Sequence, residues 1–334
     1  EQKENCEMNI NLHELQDSVN LLKKGKSPGI DGIPSEFYIK FWHLIKHKFF
    51  EVIKHIEETE SLTISQYRGV ICLLFKQGNR DEITNWRPIT LLNTDYKLIA
   101  ITYANRLKEI LPDLINEDQK AYIEGRQIIE NVRLTQDIIS FADEENIEGA
   151  IIFLDQKKAY DRVEWGYLKM CLETFGFGPK FCNWILMLYK HGESCIQTNG
   201  FLSKFFKISR SMRQGCPIAS YLYVLQAEPM AEAIRKNEQI IGIKLPSVNP
   251  ELETNVKISM FADDTQIYNS TENSIVESFK TLELYCKASG ALLNLDKTKG
   301  LRIGTWQNKK MTMQKIKWVN QIDGLGCTFG HNIN

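Results

Sequence analysis

Two adjacent acids between two strand-like runs constrain the fold of this chain more than any other feature. The apolar run 258–262 leads directly into Asp263 and Asp264, and a second strand-like run follows over 265–268. Two such runs around a short turn predict a β-hairpin with both carboxylates at its tip. Taken alone, an Asp-Asp pair more often forms a turn or a helix cap than a functional site.

A third acid ends the clearest strand in the sequence. Residues 149–156, GAIIFLDQ, form a continuous apolar run that stops at Asp155, as expected of a buried strand. If this strand and the hairpin are neighbours in one sheet, three carboxylates converge at the end of that sheet. Like charges at close range raise each other's pKa, and a bound cation removes this cost. Oxygen ligands without His or Cys favour Mg²⁺ or Mn²⁺ over Zn²⁺, and pairs of such ions drive phosphoryl transfer in polymerases and nucleases.

Length and composition set bounds on the class of protein. At roughly 100–200 residues per domain, 334 residues indicate one large domain or two intimate ones. An apolar content of 43% suffices for a sizeable core. No apolar stretch approaches the roughly 18 residues of a membrane span, so no membrane partner is expected. A net charge of −1 means that binding of nucleic acid would need local basic patches.

The cysteines and the N-terminus bear on the compartment and on the extent of the chain. The eight cysteines are scattered without a CxxC, which favours a reducing, intracellular compartment over a zinc site or a disulfide framework. The first ten residues are too polar for a signal peptide and lack an initiator Met. We therefore expect a fragment of a longer protein.

Periodicity and chain breakers predict an order in which helices alternate with strands and hairpins. Predicted helices cover 12–24, 35–59, 129–146, 164–175, 179–191, 217–236 and 272–290, and a strand or loop runs into a helix over 87–112. Predicted strands cover 67–75, 149–156, a hairpin around Gly200, the hairpin with the two acids, and short runs near 301–304 and 325–329. This order indicates an α+β or α/β design. The absence of GxxxxGK(S/T) and GxGxxG excludes the phosphate-binding loops that these motifs form.

Two further stretches carry residues suited to a nucleotide. Arg213, Gln214 and Gly215 precede a predicted helix, whose free N–H groups and positive dipole end attract a phosphate or a base edge. An ordinary strand-to-helix turn is the alternative. Lys76, Arg80 and Arg87 lie in the stretch 75–90 and are residue types that bind phosphates, unless they belong to a solvated loop.

A basic segment near the C-terminus is a third candidate. Residues 296–317 carry seven Lys or Arg residues and one acid, with Trp306 among them. Basic side chains with an aromatic suit a nucleic-acid backbone, and a solvated face is the competing interpretation. By contrast, the two His of segment 43–47 lack the Glu that the metalloprotease motif requires, so we place them on a helix surface.

In sequence order, these stretches resemble the motifs of reverse transcriptases from non-LTR (long interspersed element) retrotransposons, over nearly the whole chain. The resembling segments are an N-terminal motif at 26–38, a fingers motif at 85–108, the next motif at 118–132, palm motif A at 151–165, motif B at 213–223, motif C at 261–265, motif D at 289–300 and the primer-grip motif E at 322–330. Each motif alone is a weak or moderate signal, whereas eight in the right order make a specific one.

The resemblance implies that five matched residues carry the chemistry. Asp155 and Asp263 would bind two Mg²⁺ ions, for which Mn²⁺ can substitute, with help from the backbone carbonyl of Gln156. Asp264 would be the third acid of the metal site. Lys297 would protonate the leaving pyrophosphate after the primer 3′-OH attacks the α-phosphate.

Five further matched residues would bind the nucleotide. Lys76 and Arg87 would hold its triphosphate. Gln214 and Gly215 would flank the incoming nucleotide and the template. Tyr160 matches the bulky aromatic that excludes a ribose 2′-OH, which favours synthesis of DNA over RNA.

The resemblance also implies the right-hand polymerase fold, of class α+β, with fingers and a palm built as a small antiparallel sheet backed by helices. Residues 1–148 would form an N-terminal extension and the fingers. Residues 149–334 would form the palm, with helices over 164–235 and the primer-grip hairpin near 322–330. The thumb would be largely absent, as would the endonuclease region of the parent polyprotein.

The expected partners are an RNA template, a DNA primer and dNTPs, and the expected locations are the nucleus and the cytoplasm. Two other interpretations stay open. One is a catalytically inactive or domesticated fragment that only binds nucleic acid. The other is a different palm polymerase, such as a group II intron or telomerase-like enzyme, although segments 26–38 and 85–93 favour the retrotransposon branch.

Overall fold

A computed structural model of the chain describes residues 2–246, 254–312 and 315–330. The described residues form helices and small sheets, so the mixed class predicted from the sequence is confirmed. No helix among them is both long and apolar enough to cross a membrane.

The chain divides into two compact units. The first comprises residues 1–111 and 163–223, and the second comprises residues 112–162 and 224–334. The predicted boundary at residue 148 divides the chain into polymerase subdomains, fingers and palm, whereas these two units are defined by compactness. The predicted boundary therefore stays a prediction.

The helices are bounded as follows: α1 Gln2–Glu7, α2 Leu12–Asn20, α3 Ser35–Thr59, α4 Ile64–Tyr67, α5 Thr94–Leu114, α6 Ile128–Glu144, α7 Trp165–Thr174, α8 Pro179–Lys190, α9 Ala219–Lys236 and α10 Glu272–Ser289. The predicted helices are present, and their ends agree with the prediction to within four residues. The helix predicted from residue 217 begins two residues later, so Pro217 precedes it.

The strands are bounded as follows: β1 Arg68–Phe75, β2 Trp86–Leu92, β3 Glu148–Leu154, β4 Glu193–Thr198, β5 Phe201–Leu202, β6 Phe206–Lys207, β7 Ile243–Leu245, β8 Thr254–Val256, β9 Ile258–Phe261, β10 Asp264–Asn269, β11 Lys299–Gly304, β12 Lys317–Val319, β13 Gln321–Gly324 and β14 Cys327–Gly330. The strands β7, β8 and β12 were not predicted. Their three residues each are too few for a period of two to show.

In the first unit, one sheet joins β2, β1, β4 and β5 in that order, and β6 also pairs with β4. The β1 strand is antiparallel to β2 and parallel to β4. The hairpin predicted around Gly200 is confirmed, since β4 pairs antiparallel with β5 directly after the turn and with β6 in the predicted second segment. Asn199 and Gly200 both have positive φ, the backbone that a two-residue hairpin turn prefers.

In the second unit, the main sheet has the order β12-β11-β3-β10-β9. Its pairings are antiparallel except for β11 with β12, which is parallel. The acid-bearing sheet is therefore mixed, and the prediction of a purely antiparallel sheet was wrong at this edge. The chain leaves β11, makes a short 3-10 helix at Thr305–Asn308 and returns to enter β12 in the same direction, which a tight hairpin does not allow.

The core of the second unit explains why β3 reads as an unbroken apolar run. Six of its seven residues are buried, because β10 and β11 flank it and helix α6 packs on the sheet. Apolar side chains of α6, including Val132 and Ile139, join Ile151 and Phe153 of β3 in one cluster. This packing fixes the strand from which Asp155 emerges.

Candidate active site

The three predicted acids lie at the same end of the second unit's sheet. Leu154, the last residue of β3, pairs with Thr265 of β10. Asp155 follows Leu154 and Asp264 precedes Thr265, so these two acids occupy the next position along the same pair of strands. The predicted convergence of two distant segments is thus present in the backbone.

Asp263 lies in a two-residue turn between β9 and β10. Phe261 pairs with Asp264 across the hairpin, which leaves Ala262 and Asp263 as the turn and confirms the predicted hairpin. Ala262 has a φ of 58°, a conformation that residues with a Cβ rarely adopt. The Oγ1 of Thr265 donates a hydrogen bond to the carbonyl of Asp263 at 3.4 Å.

Asp155 is held in place by a segment 139 residues further along the chain. The side-chain amide of Asn294 donates a hydrogen bond to Oδ2 of Asp155 at 2.7 Å. The Asn294 N–H donates to the Asp155 carbonyl at 2.9 Å, and the Asp155 N–H donates to Oγ1 of Thr298 at 3.2 Å. Both partners are buried. The Asn294 amide orients the carboxylate, and the other two bonds hold the Asp155 backbone.

Asn294 and Thr298 were missed as functional residues at the sequence level. Both lie in the stretch 289–300 that resembles motif D, from which only Lys297 was singled out. The signal that could have found them is their position on either side of Lys297, in a short polar loop ahead of a strand. Their partner, however, is 139 and 143 residues away, and a single sequence does not reveal that contact.

The donor set at the sheet end suits a hard divalent cation, because it consists of carboxylate oxygens. Hydrogen bonding to Asn294 engages only one oxygen of Asp155. Within residues 2–246, 254–312 and 315–330, no three His, Cys, Asp or Glu side chains come close enough together to hold a metal ion. The backbone therefore brings the three acids to one sheet end without closing them into a compact ligand cluster.

Gln156 and Lys297 flank Asp155 and its support. Gln156 is buried, and its backbone forms an antiparallel bridge with Leu293. Its Nε2 finds no hydrogen-bond partner among the described residues. Lys297 is exposed, and its N–H donates to the carbonyl of Asn294 at 3.1 Å, so it lies in the loop that holds Asp155.

Tyr160 begins a 3-10 turn within the segment that resembles motif A. The turn spans Tyr160–Arg162, and the Tyr160 hydroxyl donates to the hydroxyl of Tyr122 at 3.4 Å. Burial raises the pKa of the neighbouring Asp161, and the positive charge of Lys158 opposes this shift. Tyr160 is therefore placed by the same connection that carries the chain away from Asp155.

Gln214 and Gly215 lie in the first unit, where they are tied to β2. The N–H of Thr90 donates to the carbonyl of Gln214 at 2.7 Å. Gly215 has a φ of 119°, and a Cβ at that position would lie 2.3 Å from the Thr90 carbonyl oxygen. Glycine is therefore required here for both backbone conformation and space.

Lys76 directly follows strand β1, and Arg87 lies in its hairpin partner β2. Arg87 pairs with Leu74, and the Lys76 N–H donates to the carbonyl of Asn85 at 2.9 Å. This register makes Lys76 and Arg87 diagonal neighbours on one face, a spacing that long side chains bridge. Both are exposed, so the structure brings these two predicted triphosphate ligands together.

Arg213 and Trp306 are placed differently from what the sequence suggested. Arg213 is only 4% exposed and lies over the ring of Tyr96, so its guanidinium does not reach an external phosphate. Trp306 is 2% exposed, with the ammonium of Lys309 over its ring at 4.3 Å. It packs inside the second unit and cannot stack on a base. Residues 313 and 314 of the basic segment lie outside the described residues.

The sequence of this chain matches the model of one known protein family. Residues 76–329 match the family model described as reverse transcriptase (RNA-dependent DNA polymerase). The chain belongs to the reverse transcriptase family. The match begins at Lys76 and contains all ten residues to which the sequence motifs assigned a role. The roles themselves stay predictions.

Several relatives of this reverse transcriptase chain come from mobile elements. It is 35% identical over 322 residues to the Transposon TX1 uncharacterized 149 kDa protein of Xenopus laevis, covering 96% of this chain and 24% of that protein. It is 22% identical to the Pol polyprotein from the type-1 retrotransposable element R2 of Popillia japonica, covering 69% of this chain and 31% of the relative. It is 28% identical to the probable RNA-directed DNA polymerase from transposon BS of Drosophila melanogaster, covering 46% and 17%.

These relatives confirm the resemblance to reverse transcriptases of non-LTR elements. This reverse transcriptase chain spans less than a third of the length of each of the three relatives.

Proposed function

We propose that this chain is the RNA-directed DNA polymerase domain of a non-LTR retrotransposon polyprotein. The observation that carries the proposal is the sheet end at which Asp155 and the Asp263–Asp264 turn meet, within the region that matches the family. An RNA template, a DNA primer and dNTPs are the partners that this activity requires. The wider polyprotein would supply the thumb and endonuclease regions.

The same proposal assigns the parts of a right-hand polymerase to elements of this structure. The acid-bearing mixed sheet would serve as the palm of a right-hand polymerase. The hairpin of β13 and β14 would serve as the primer grip, since it coincides with the segment predicted for that role. The β1–β2 hairpin with Lys76 and Arg87 would belong to the fingers.

The chemistry assigned to the sheet end is transfer of a nucleotide to a primer 3′-OH. Asp155 and Asp263 would hold two Mg²⁺ ions with the carbonyl of Gln156, and Asp264 would be the third acid. When bound, such ions help to ionise the attacking hydroxyl and neutralise the charge that builds on the pyrophosphate. The contribution of Asn294 and Thr298 is to keep the Asp155 carboxylate in one orientation, because pre-positioned charges need no reorganisation during the reaction.

The other residues would act on the substrates. Lys297, exposed in its loop, would give a proton to the departing pyrophosphate, and the Tyr160 ring would exclude a ribose 2′-OH. Lys76 and Arg87 would bind the triphosphate oxygens as a point charge and a fork. Gln214 and Gly215 would border the incoming nucleotide and the template.

Extension of a labelled DNA primer on an RNA template tests the proposal. With Mg²⁺ and all four dNTPs, we expect products that lengthen to the end of the template. Omission of one dNTP is expected to stop extension one position before its complementary base. Absence of extension, or addition that ignores the template sequence, would contradict the proposal and favour a fragment that only binds nucleic acid.

A further inference from the structure

We propose that residues 116–126, here called the brace, hold the turn Ala262–Asp263 in its conformation. This turn is called the catalytic turn below, and Gln119 is the residue of the brace that positions it. The inference deepens the proposed function and rests on it, because it assigns to Gln119 the task of orienting Asp263 through the turn residue Ala262. All of these residues lie in the second unit.

Gln119 grips both peptide groups of Ala262. Its Oε1 accepts a hydrogen bond from the Ala262 N–H at 2.9 Å, and its Nε2 donates to the Ala262 carbonyl at 3.4 Å. The same Oε1 accepts from the Ala121 N–H at 3.0 Å, which fixes the side chain to its own segment. Gln119 is 1% exposed, so water does not compete for these bonds.

The turn has a physical need for such a grip. Ala262 has a positive φ of 58°, and a two-residue hairpin turn with positive φ at its first position usually has Gly there. A Cβ makes this conformation unfavourable, so the turn needs outside contacts to stay in it. Because Asp263 is the next residue, rotation of the Ala262 peptide groups would redirect its carboxylate.

The brace is itself attached to the hairpin strand. The Met260 N–H donates to the Asp118 carbonyl at 2.8 Å, and the Lys120 N–H donates to the Met260 carbonyl at 2.9 Å. Gln119 thereby forms a parallel bridge with Met260 of β9. The brace therefore pairs with the edge strand β9 two residues before Ala262.

Two arginines, one within the brace and one on helix α9, hold the brace in place. Arg126 donates hydrogen bonds to the carbonyls of four residues, which are Pro112, Ile115, Asn116 and Gln119. Arg235 of α9 binds both carboxylate oxygens of Asp118 at 2.9 and 2.7 Å. The brace is thus held in place by several hydrogen bonds, and the side chain of Gln119 connects it to the turn through Ala262.

The brace also contacts Tyr160, the residue predicted to exclude a ribose 2′-OH. Tyr122 has a positive φ of 60°, and its hydroxyl accepts a hydrogen bond from the hydroxyl of Tyr160. One segment therefore contacts the turn that carries Asp263 and the aromatic ring expected to discriminate dNTPs from ribonucleotides.

The test compares Gln119→Met, Ala262→Gly and the double variant in the extension assay with the full chain. Methionine keeps the length of the side chain but forms no such hydrogen bonds, and glycine adopts the turn conformation without support. We expect Gln119→Met to lower kcat by roughly 10- to 100-fold, because a misplacement of about 1 Å can cost about 100-fold, with KM for dNTP changing less than about threefold. Adding Ala262→Gly is expected to restore at least half of the lost activity on a logarithmic scale.

The matched control is Gln239→Met, an equal change at an exposed glutamine of the same unit. It should leave kcat unchanged. The proposal fails if Gln119→Met behaves like this control. It also fails if Ala262→Gly restores nothing, because a loss through general destabilisation would not respond to the turn residue.

Amide hydrogen exchange separates this proposal from the proposed function, since it needs no substrate. Loss of the Gln119 acceptor should speed exchange of the Ala262 amide by about tenfold or more, and Gln239→Met should not. If the wild-type chain extends no primer but exchange responds in this way, the proposed function fails and the brace stands. Unchanged exchange at Ala262 overturns the brace whatever the activity.

Discussion

Replacing Asp263 by alanine is expected to lower the rate of RNA-templated nucleotide addition by about a thousandfold or more. The variant would remove one of the two carboxylates assigned to both catalytic ions. Their stabilisation of the transition state is worth several kcal/mol, and about 4 kcal/mol corresponds to this factor. Single-turnover incorporation of one dNTP measures the effect without interference from product release.

The matched control is Asp137→Ala on the exposed side of α6. This change removes a carboxylate from the same unit, far along the chain from the catalytic turn, and should leave the rate within about twofold of the wild type. Equal rates for Asp263→Ala and the wild type would remove Asp263 from the catalytic assignment. A similar loss in both variants would point to a general effect of lost negative charge.

Replacing Gly215 by alanine is expected to cost about 3 kcal/mol of unfolding free energy. Its φ of 119° strains any residue with a Cβ, and the new Cβ would lie 2.3 Å from the carbonyl oxygen of Thr90. Strain of this kind and a forced overlap each cost about 1–3 kcal/mol. The hydrogen bond from the Thr90 N–H to the Gln214 carbonyl should be lost as the loop moves, which would also impair nucleotide addition. Denaturant unfolding of the whole chain measures the stability change.

The matched control is Gly166→Ala, the same substitution at a position in the same unit where an added Cβ meets no other atom. Gly166 lies in helix α7, and a Cβ there meets no atom within 4 Å. Because alanine favours a helix over glycine by about 1 kcal/mol, this control should be neutral or slightly stabilising. If Gly215→Ala unfolds at the same denaturant concentration as the wild type, the close packing against Thr90 does not constrain this loop.

The sequence permitted prediction of the sheet end because its signals are local. The apolar run before Asp155 and the two runs around Asp263 identify strands, and each acid follows or interrupts its strand directly. The motif order then identified the family, and the family match supports that identification. The hairpin itself was predicted correctly, but its turn lies one residue earlier than the polar pair suggested, because Asp264 already pairs with Phe261 and Ala262 takes its place in the turn.

The supports of the site were not predictable, because they depend on contacts between distant segments. Gln119 reaches Ala262 across 143 residues, and Asn294 reaches Asp155 across 139. Nothing about a glutamine or an asparagine in its local sequence indicates such a partner. Arg213 and Trp306 show the converse, since residue types that suggested phosphate or base contacts are buried.

Binding of Mn²⁺ tests most directly whether Asp155 and the Asp263–Asp264 turn form one metal centre. The electron paramagnetic resonance signal of free Mn²⁺ can be followed as the full chain is added, without primer, template or nucleotide. We expect Asp155→Asn to weaken binding by tenfold or more, with Asp263→Asn having a similar effect and Asp137→Asn having none. Binding by Asp155→Asn as tight as that of the wild type would contradict the account.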